Sequence, residues 1–299
     1  MKPTLLILAA GRGSRFGGAK QVFPMGPHGE TIMEYSIYDA LNHGFGQVVL
    51  VINKDVEEDT MNLVHKMAGV KEKISYAYQD LHTSMIPAEI QAKRLKPWGT
   101  AHAIMSAETL INGSFAMINA DDFYGAAAYR TMADYLSTHQ QDDQYSMVGY
   151  DLENTLSLNG TVSRGISIGD AAGKLSSITE THGIYAKEGK IYCQGKDGQE
   201  AEITEGYASM NFWGFQNNLF EEMNQQFQVF LQQTKDLSKD EFQIPTVIDQ
   251  MIKKNMIQVD LLHSDAKWFG VTYKEDKDHA AASIQQSVKA GDYPSPLWG

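Results

Sequence analysis

One cysteine, Cys193, stands among the 299 residues, so neither an internal disulfide nor a cysteine metal cluster is available. That usage fits a reducing cytoplasm. No apolar stretch approaches the length of a membrane span. The N-terminal LLILAA run is too short for a signal peptide's apolar region with its cleavage site, and Gly11 ends it. A basic stripe is also missing: the formal net charge is −12, which argues against nucleic acid as a partner. Hexapeptide repeats are absent, which excludes a β-helical extension. What remains includes 42% hydrophobic residues, enough for a sizeable core in one large α/β domain over residues 1–299.

A local absence runs against the overall charge. No Asp or Glu precedes Glu30, so the stretch LLILAAGRGSRFGGAKQVFPMG, residues 5–26, is charged only by Arg12, Arg15 and Lys20. An apolar strand there breaks into a glycine-rich loop. Glycines let the backbone turn tightly and aim N–H groups at an anion, and the cations add charge-assisted bonds to phosphate oxygens. A strand–turn–helix connection with a solvated basic rim is the plainer reading of the same residues. The loop is neither of the two commonest phosphate loops. Gln21 follows Lys20 where a P-loop needs Ser or Thr, and Phe16 stands where a dinucleotide fingerprint has its third glycine.

Apolar runs at 5–8, 48–52, 74–78 and 115–119 are separated by helix-length segments. That βαβα order predicts an α/β, Rossmann-like fold, with a mostly parallel mixed sheet flanked by helices. Thr31 and Glu34 have capping-box spacing at the head of a helix bearing Ile32, Tyr35, Tyr38 and Leu41, which Gly44 ends. Further helices are expected from Thr100 and over 126–137. From 145 to about 215 the runs turn β-like, with Asn159-Gly160, Ala172-Gly173 and Asp197-Gly198 as hairpin candidates. Helices over 216–236 and 245–254 and a strand at 258–262 complete the pattern. The stripe of Phe220, Met223 and Phe227 reads as core.

Three further groups carry chemistry. Asp121 and Asp122 follow the 115–119 strand, where open α/β sheets bind ligands, and hard oxygens there suit Mg²⁺. Two turn residues capping the next helix would look the same. In WGTAHAI, residues 98–104, Gly99 at a helix start allows close backbone approach to a flat base, with Thr100 and the next N–H groups facing it. His102 in that helix reads as a packing residue. Gln79, at the end of YAYQ, can donate and accept, as a pyrimidine edge requires; a solvated strand-end glutamine is the alternative.

The loop pattern L-A-A-G-x-G-x-R-F followed by K-Q and proline resembles that of the sugar-phosphate nucleotidyltransferases. The Asp121 step, the G-T-A-H-A segment and the Y-x-x-Q ending at Gln79 are similar to that family's in the same order. The resemblance implies that Ala9, Ala10, Gly11 and Gly13 bind nucleotide with Gln79, Gly99 and Thr100, while Arg15, Lys20 and Asp121 are catalytic. The run from Arg164-Gly165-Ile166 through Asp170 and Gly173 to Ile178-Thr179-Glu180 resembles the family's G-V…E-K run, which implies sugar contacts at Gly165 and Glu180. Thr181 replaces the lysine that supports substrate phosphate there. Asn211 falls near the sugar pocket. The segment from Trp268 to Asp276 is similar to W-x-D-V-D/N-T-P-E-D, but Gly270 and Thr272 stand where relatives have a metal-binding Asp or Asn, leaving Thr272 as the second metal candidate beside Asp121.

Residues 1–125 are then a nucleotide-binding half and 126–299 a sugar-binding half. The implied reaction joins an NTP, UTP or dTTP by the Gln79 reading, to a sugar 1-phosphate with Mg²⁺. A CTP-dependent transferase for a phosphocholine-like alcohol phosphate and a non-catalytic NDP-sugar-binding regulator are the alternatives. An anionic or aromatic acceptor pocket would mark the first. The 80–97 stretch is longer than the family's usual spacer, and YPSPLWG at the C-terminus reads as an exposed docking tail through which a homo-oligomer could form.

Overall fold

The computed structural model describes residues 1–11, 23–81, 86–92, 94–157, 160–195, 199–270 and 276–299. Its first half runs β1 (Thr4–Leu8), α1 (Ile32–Asn42), β2 (Gln47–Ile52), α2 (Glu57–His65), β3 (Ile74–Tyr78), α3 (Ala88–Gln91), α4 (Thr100–Met105), β4 (Phe115–Asn119), β5 (Asp122–Phe123) and α5 (Ala126–Thr138). Strands β3, β2, β1 and β4 lie side by side and parallel. Alternate residues of these strands reach opposite layers. Leu5, Ile7, Val48 and Ile118 meet Met33, Ile37 and Met132 on one side, whereas Leu6, Val49 and Met117 meet Ile104, Phe220 and Phe227 on the other. Burial on both faces is why these strands are uninterrupted apolar runs in the sequence. The capping box is present: the Thr31 N–H donates to Glu34 Oε2 at 2.7 Å and the Glu34 N–H to Thr31 Oγ1 at 3.3 Å.

The second half adds β6 (Gln144–Asp151), β7 (Val162–Gly169), β8 (Leu175–Lys187), β9 (Lys190–Gln194), β10 (Glu200–Glu202), β11 (Tyr207–Phe215), α6 (Leu219–Gln233), α7 (Ile244–Lys253), β12 (Gln258–Ser264), β13 (Phe269–Gly270) and α8 (Asp276–Ala290). Strands β7 to β10 form an antiparallel ladder, and β12 lies parallel to β6. The β7–β8 turn is at Asp170–Lys174, where Asp170 Oδ1 accepts from the N–H groups of Ala172 and Lys174. Asn159, Asp197 and Gly198 of the other expected hairpins lie outside the described residues.

Strand β11 joins the two halves, because the sheet forks along it. Its first residues pair with β7 as far as Ser209↔Gly165, and its last residues pair with β4 from Trp213↔Met117 onward. Strand β6 follows its other edge throughout. Between Ser209 and Trp213 the register shifts, and Asn211 takes φ +59, a left-handed conformation that asparagine tolerates better than most residues. Strands β4 and β7 diverge at that break.

The C-terminal segment differs from its expected exposure. Tyr293 and Leu297 are buried, and with Met25, Ile32, Tyr35, Phe123, Ala280 and Ile284 they form a third apolar cluster against α1. Acids of the α1 region hold it: Tyr293 Oη donates to Asp39 Oδ2 at 2.9 Å, the Leu297 N–H to Glu30 at 3.3 Å and Trp298 Nε1 to Glu34 at 3.0 Å. The tail's large apolar side chains find a surface on their own chain, so the segment is not exposed for docking.

Asp39 is 1% exposed and its Oδ1 has no hydrogen-bond partner. Burial, against the Tyr293 hydrogen bond and with a smaller push from Asp292, raises its pKa to about 7. The folded protein therefore keeps a proton between about pH 4 and 7 that the unfolded chain has released. The stability this contributes is complete below pH 4 and is lost as pH rises through 7. In urea titrations from pH 5 to 8, the wild type should lose about 2–4 kcal/mol relative to Asp39→Asn. A difference independent of pH would show that Asp39 titrates normally.

Candidate active site

A cleft of about 910 Å³ opens at the fork. Its lining brings together Asp121 and Asp122 from the end of β4, Arg164 and Gly165 from β7, Glu180 from β8 and Asn211 from the register break. The sequence-expected metal residue Asp121 and sugar residues Gly165, Glu180 and Asn211 thus share one cavity. Gly165 lies opposite Glu180 in the β7–β8 ladder, and a Cβ on Gly165 would sit 3.0 Å from Ile178 and 3.9 Å from Glu180 Oε2. Side-chain bulk there would press on the wall that carries the glutamate.

Tyr124 ties the end of β4 to the register break of β11. Its buried hydroxyl accepts from the Asn119 N–H at 3.1 Å, donates to the Met210 carbonyl at 2.9 Å, and lies 3.4 Å from Asp122 Oδ2. Complete burial, with the Asp122 charge as the next cause, raises its pKa well above the usual phenol value, so it remains an O–H donor. Asn119 Nδ2 donates to the same Asp122 oxygen at 3.0 Å.

Asp122 also pairs with Gly270 across β5 and β13, and a Cβ on Gly270 would lie 2.4 Å from Asp122 Oδ1. The carboxylate of Asp122 therefore occupies the space a side chain at position 270 would enter. Gly270, one of the two positions compared above with a metal-binding Asp or Asn, is thus faced by an acid on the neighbouring strand. Thr272, the other second-ligand candidate, lies outside the described residues, as do Gly13, Arg15 and Lys20. Among the described residues no three His, Cys, Asp or Glu side chains group to hold a metal.

The nucleotide-side residues gather at the C-terminal ends of β1 and β3, the same edge of the sheet at which Asp121 follows β4. Ala9 and Ala10 are buried, with the Ala9 N–H donating to Val51 and the Ala10 carbonyl accepting from Asn53 Nδ2 at 2.7 Å; Gly11 follows on the surface. Asn53, which sequence reasoning missed, also caps the turn before α2 through Oδ1. Its signal was an asparagine directly after a strand. Gln79 is buried and its Nε2 donates to the Gly99 carbonyl at 3.1 Å, so the two expected base-binding residues touch. A hollow of about 180 Å³ beside them is lined by Asn53, Tyr78, Gln79 and Pro97.

Gly99 has a structural reason to be glycine that the sequence did not reveal. At φ +107 its Cβ would lie 2.4 Å from the Phe242 carbonyl oxygen. That carbonyl accepts from the Ala101 N–H, and Thr100 Oγ1 accepts from the Ile244 N–H. These groups hold the α6–α7 connection, whereas the sequence reading aimed them at a ligand. The described part of 80–97 is fastened to the same connection by Arg94, whose guanidinium donates to the carbonyls of Leu237 and Asp240 and stacks on Trp98. His102 is buried against Phe227, and burial, helped by the Arg94 charge, lowers its pKa to about 4; it is a neutral packing residue.

The comparisons with known proteins agree with this fold. The family model for nucleotidyl transferases matches residues 4–276, and the chain belongs to that family. Its fold is similar to a protein from Bacillus anthracis provisionally assigned as a glucose-1-phosphate thymidylyltransferase, with TM-score 0.62 and 15% identity over 94% of this chain and 95% of the other. An inositol-1-phosphate CTP transferase from T. maritima matches with TM-score 0.61 and 12% identity over 95% and 96%. A UDP-glucose pyrophosphorylase solved with UDP-glucose matches with TM-score 0.58 and 18% identity over 95% and 98%. No curated protein matches the sequence. No helix among the described residues is long and apolar enough to cross a membrane.

Tyr124→Phe should cost about 1–3 kcal/mol in urea unfolding, because it leaves the Asn119 N–H and the Met210 carbonyl without their buried partner. A neutral substitution would mean that the fork is held by the sheet pairing alone.

Proposed function

We propose that the chain transfers a nucleotidyl group from UTP or dTTP to a sugar 1-phosphate, giving an NDP-sugar and pyrophosphate. The observation that carries this reading is the cleft that joins the β4 carboxylates to Gly165, Glu180 and Asn211. In the reaction a phosphate oxygen of the acceptor attacks the α-phosphorus in line and pyrophosphate leaves. That oxygen is already anionic, so the step needs no general base and no covalent intermediate. Positioning and charge neutralisation supply the rate.

Each residue then has a part. The backbone of Ala9, Ala10, Gly11 and Gly13 lies along the triphosphate, and Arg15 and Lys20 neutralise the departing pyrophosphate. Gln79, with Nε2 engaged by Gly99, offers Oε1 to the N3–H of uracil or thymine. Glu180 and Asn211 accept from and donate to sugar hydroxyls. The two adjacent carboxylates, Asp121 and Asp122, fit Mg²⁺, which takes hard oxygen donors. Bound there, Mg²⁺ supplies neutralisation of the phosphate charge that the two substrates bring together.

The phosphocholine-type alternative is marked by an anionic or aromatic pocket for a quaternary ammonium, and Asp121, Asp122, Glu180 and Asp249 give the cleft an anionic side. Trp213 and Trp268 do line the cleft, but they are 1% and 7% exposed, and the Arg164 guanidinium covers Trp268 at 4.8 Å. The one aromatic face that Arg164 covers is therefore closed to a second cation, which is what favours the sugar phosphate.

The test is pyrophosphate release with Mg²⁺, each NTP in turn, and a panel of hexose and N-acetylhexosamine 1-phosphates. Release with UTP or dTTP and one sugar is expected. Silence across the panel with tight NDP-sugar binding would make the protein a regulator. Asp121→Ala should lower kcat/KM by roughly 3–4 kcal/mol of barrier at an unchanged melting temperature. Undiminished turnover would remove Asp121 from the mechanism.

A further inference from the structure

Arg164 is the sole basic residue among the described residues that line the cleft, whose acids include Asp121, Asp122, Glu180 and Asp249. It stands just past the last β7–β11 pair, Ser209↔Gly165, where β11 turns away. Its side chain is 9% exposed. The Nη1 group donates to the Ser163 carbonyl at 2.8 Å and Nη2 to the Thr155 carbonyl, while Nε is buried without an acceptor. One face of the guanidinium lies on Trp268. Among the described residues its hydrogen-bond partners are therefore neutral carbonyls, and no carboxylate forms an ion pair with it.

A guanidinium withdrawn from water whose hydrogen bonds go only to neutral carbonyls is costly to bury, and an anion bonded directly to it offsets that cost. Burial pulls its pKa down, while Asp122, Glu180 and Asp276 pull the other way from a distance. Arginine cannot escape by losing its proton, as a buried lysine can. The indole N–H groups of Trp213 and Trp268, two more donor-only groups of the same lining, are also buried without acceptors. Beside the acids of the lining, one part of the wall thus holds three donors without acceptors, Arg164 Nε and the two indole N–H groups.

Position supplies the identity of the anion. Arg164 is the in-register partner of Thr181 across the β7–β8 ladder. Directly opposed residues in an antiparallel pair place their Cβ atoms about 5 Å apart on the same face of the sheet. Thr181 is where the resemblance to sugar-phosphate nucleotidyltransferases leads one to expect the phosphate-supporting lysine. We propose that Arg164 binds the phosphate of the acceptor substrate, supplying from β7 the charge that Thr181 lacks on β8. The acceptor is accordingly a phosphate monoester, and a neutral alcohol does not take its place. This assignment rests on the cleft being the acceptor site of a nucleotidyl transfer.

The experiment compares wild type, Arg164→Met and Arg164→Met/Thr181→Lys on the NTP and sugar phosphate pair identified by pyrophosphate release, with inorganic phosphate as a competitor and NTP binding titrated separately. Arg164→Met should raise the acceptor KM about tenfold to a hundredfold, the loss expected for a charge-assisted contact, and weaken inhibition by phosphate in parallel. The NTP KM should stay within about twofold, and lysine at 181 should recover most of the loss. Arg164→Gln, which keeps donors for the Thr155 and Ser163 carbonyls without charge, carries the same expectation if the methionine protein does not fold. An unchanged acceptor KM, or an equal rise in both KM values, overturns the role of Arg164 and leaves nucleotidyl transfer standing. A wild-type protein that binds no NTP overturns both.

Discussion

The hydroxyl of Tyr124 accepts from the Asn119 N–H and donates to the Met210 carbonyl, and through those bonds the end of β4 is fixed against the register break of β11. The rest of the cleft follows from that junction. If β11 ran straight, β7 and β4 would lie along one continuous edge and no opening would separate Gly165 from Asp121. The break at Asn211 makes the opening, and the tyrosine holds its width. The same hydroxyl lies beside Asp122, so the opening and the acid at its rim are set together. A β-bulge beside a site re-aims side chains and ends pairing, and both happen here.

Charge is unevenly distributed in a protein of net charge −12. The stretch before Glu30 has no acid, and the cleft's one arginine is sunk into its wall. Acids elsewhere serve structure: Glu30, Glu34 and Asp39 hold the C-terminal segment against α1. That segment shares an apolar cluster with Met25, which follows the glycine-rich stretch, and with Phe123, which follows Asp122. Phe123 in turn stacks on Phe269, beside Gly270. Packing at the C-terminus therefore braces both ends of the candidate metal region.

The parallel strands could be read from the sequence because burial on two faces leaves a continuous apolar run, and the start of α1 because a capping box has a fixed spacing. Asp121 was expected at the cleft because a carboxylate directly after such a strand lies at the sheet's ligand edge, although a capping turn residue leaves the same mark. Other features left weaker marks. Helix α8 buries only Ala280 and Ile284, so its apolar stripe is too thin to show a period. The tail looked exposed because YPSPLWG contains prolines and no periodicity, whereas its burial depends on α1, more than 250 residues away in the chain. Gly99 looked like a ligand contact, and only the fold places the Phe242 backbone against it. The fork itself has no local signature beyond one asparagine in an apolar strand.

The two departures from the family pattern share a physical explanation. Reading along the chain, the lysine after Glu180 is lost at Thr181 and a metal-binding acid is lost at Gly270. Reading across the sheet, each of those positions has an in-register neighbour with a charged side chain. Arg164 lies opposite Thr181, and Asp122 lies opposite Gly270 with its carboxylate in the space the glycine leaves. A binding site responds to where a charge is in space, and two strands paired at about 5 Å can supply it from either side. Motif comparison follows one strand at a time and records a loss, while the ladder records an exchange. The geometry therefore weakens the case for a non-catalytic homologue, because the gaps that suggested it are each faced by a suitable side chain.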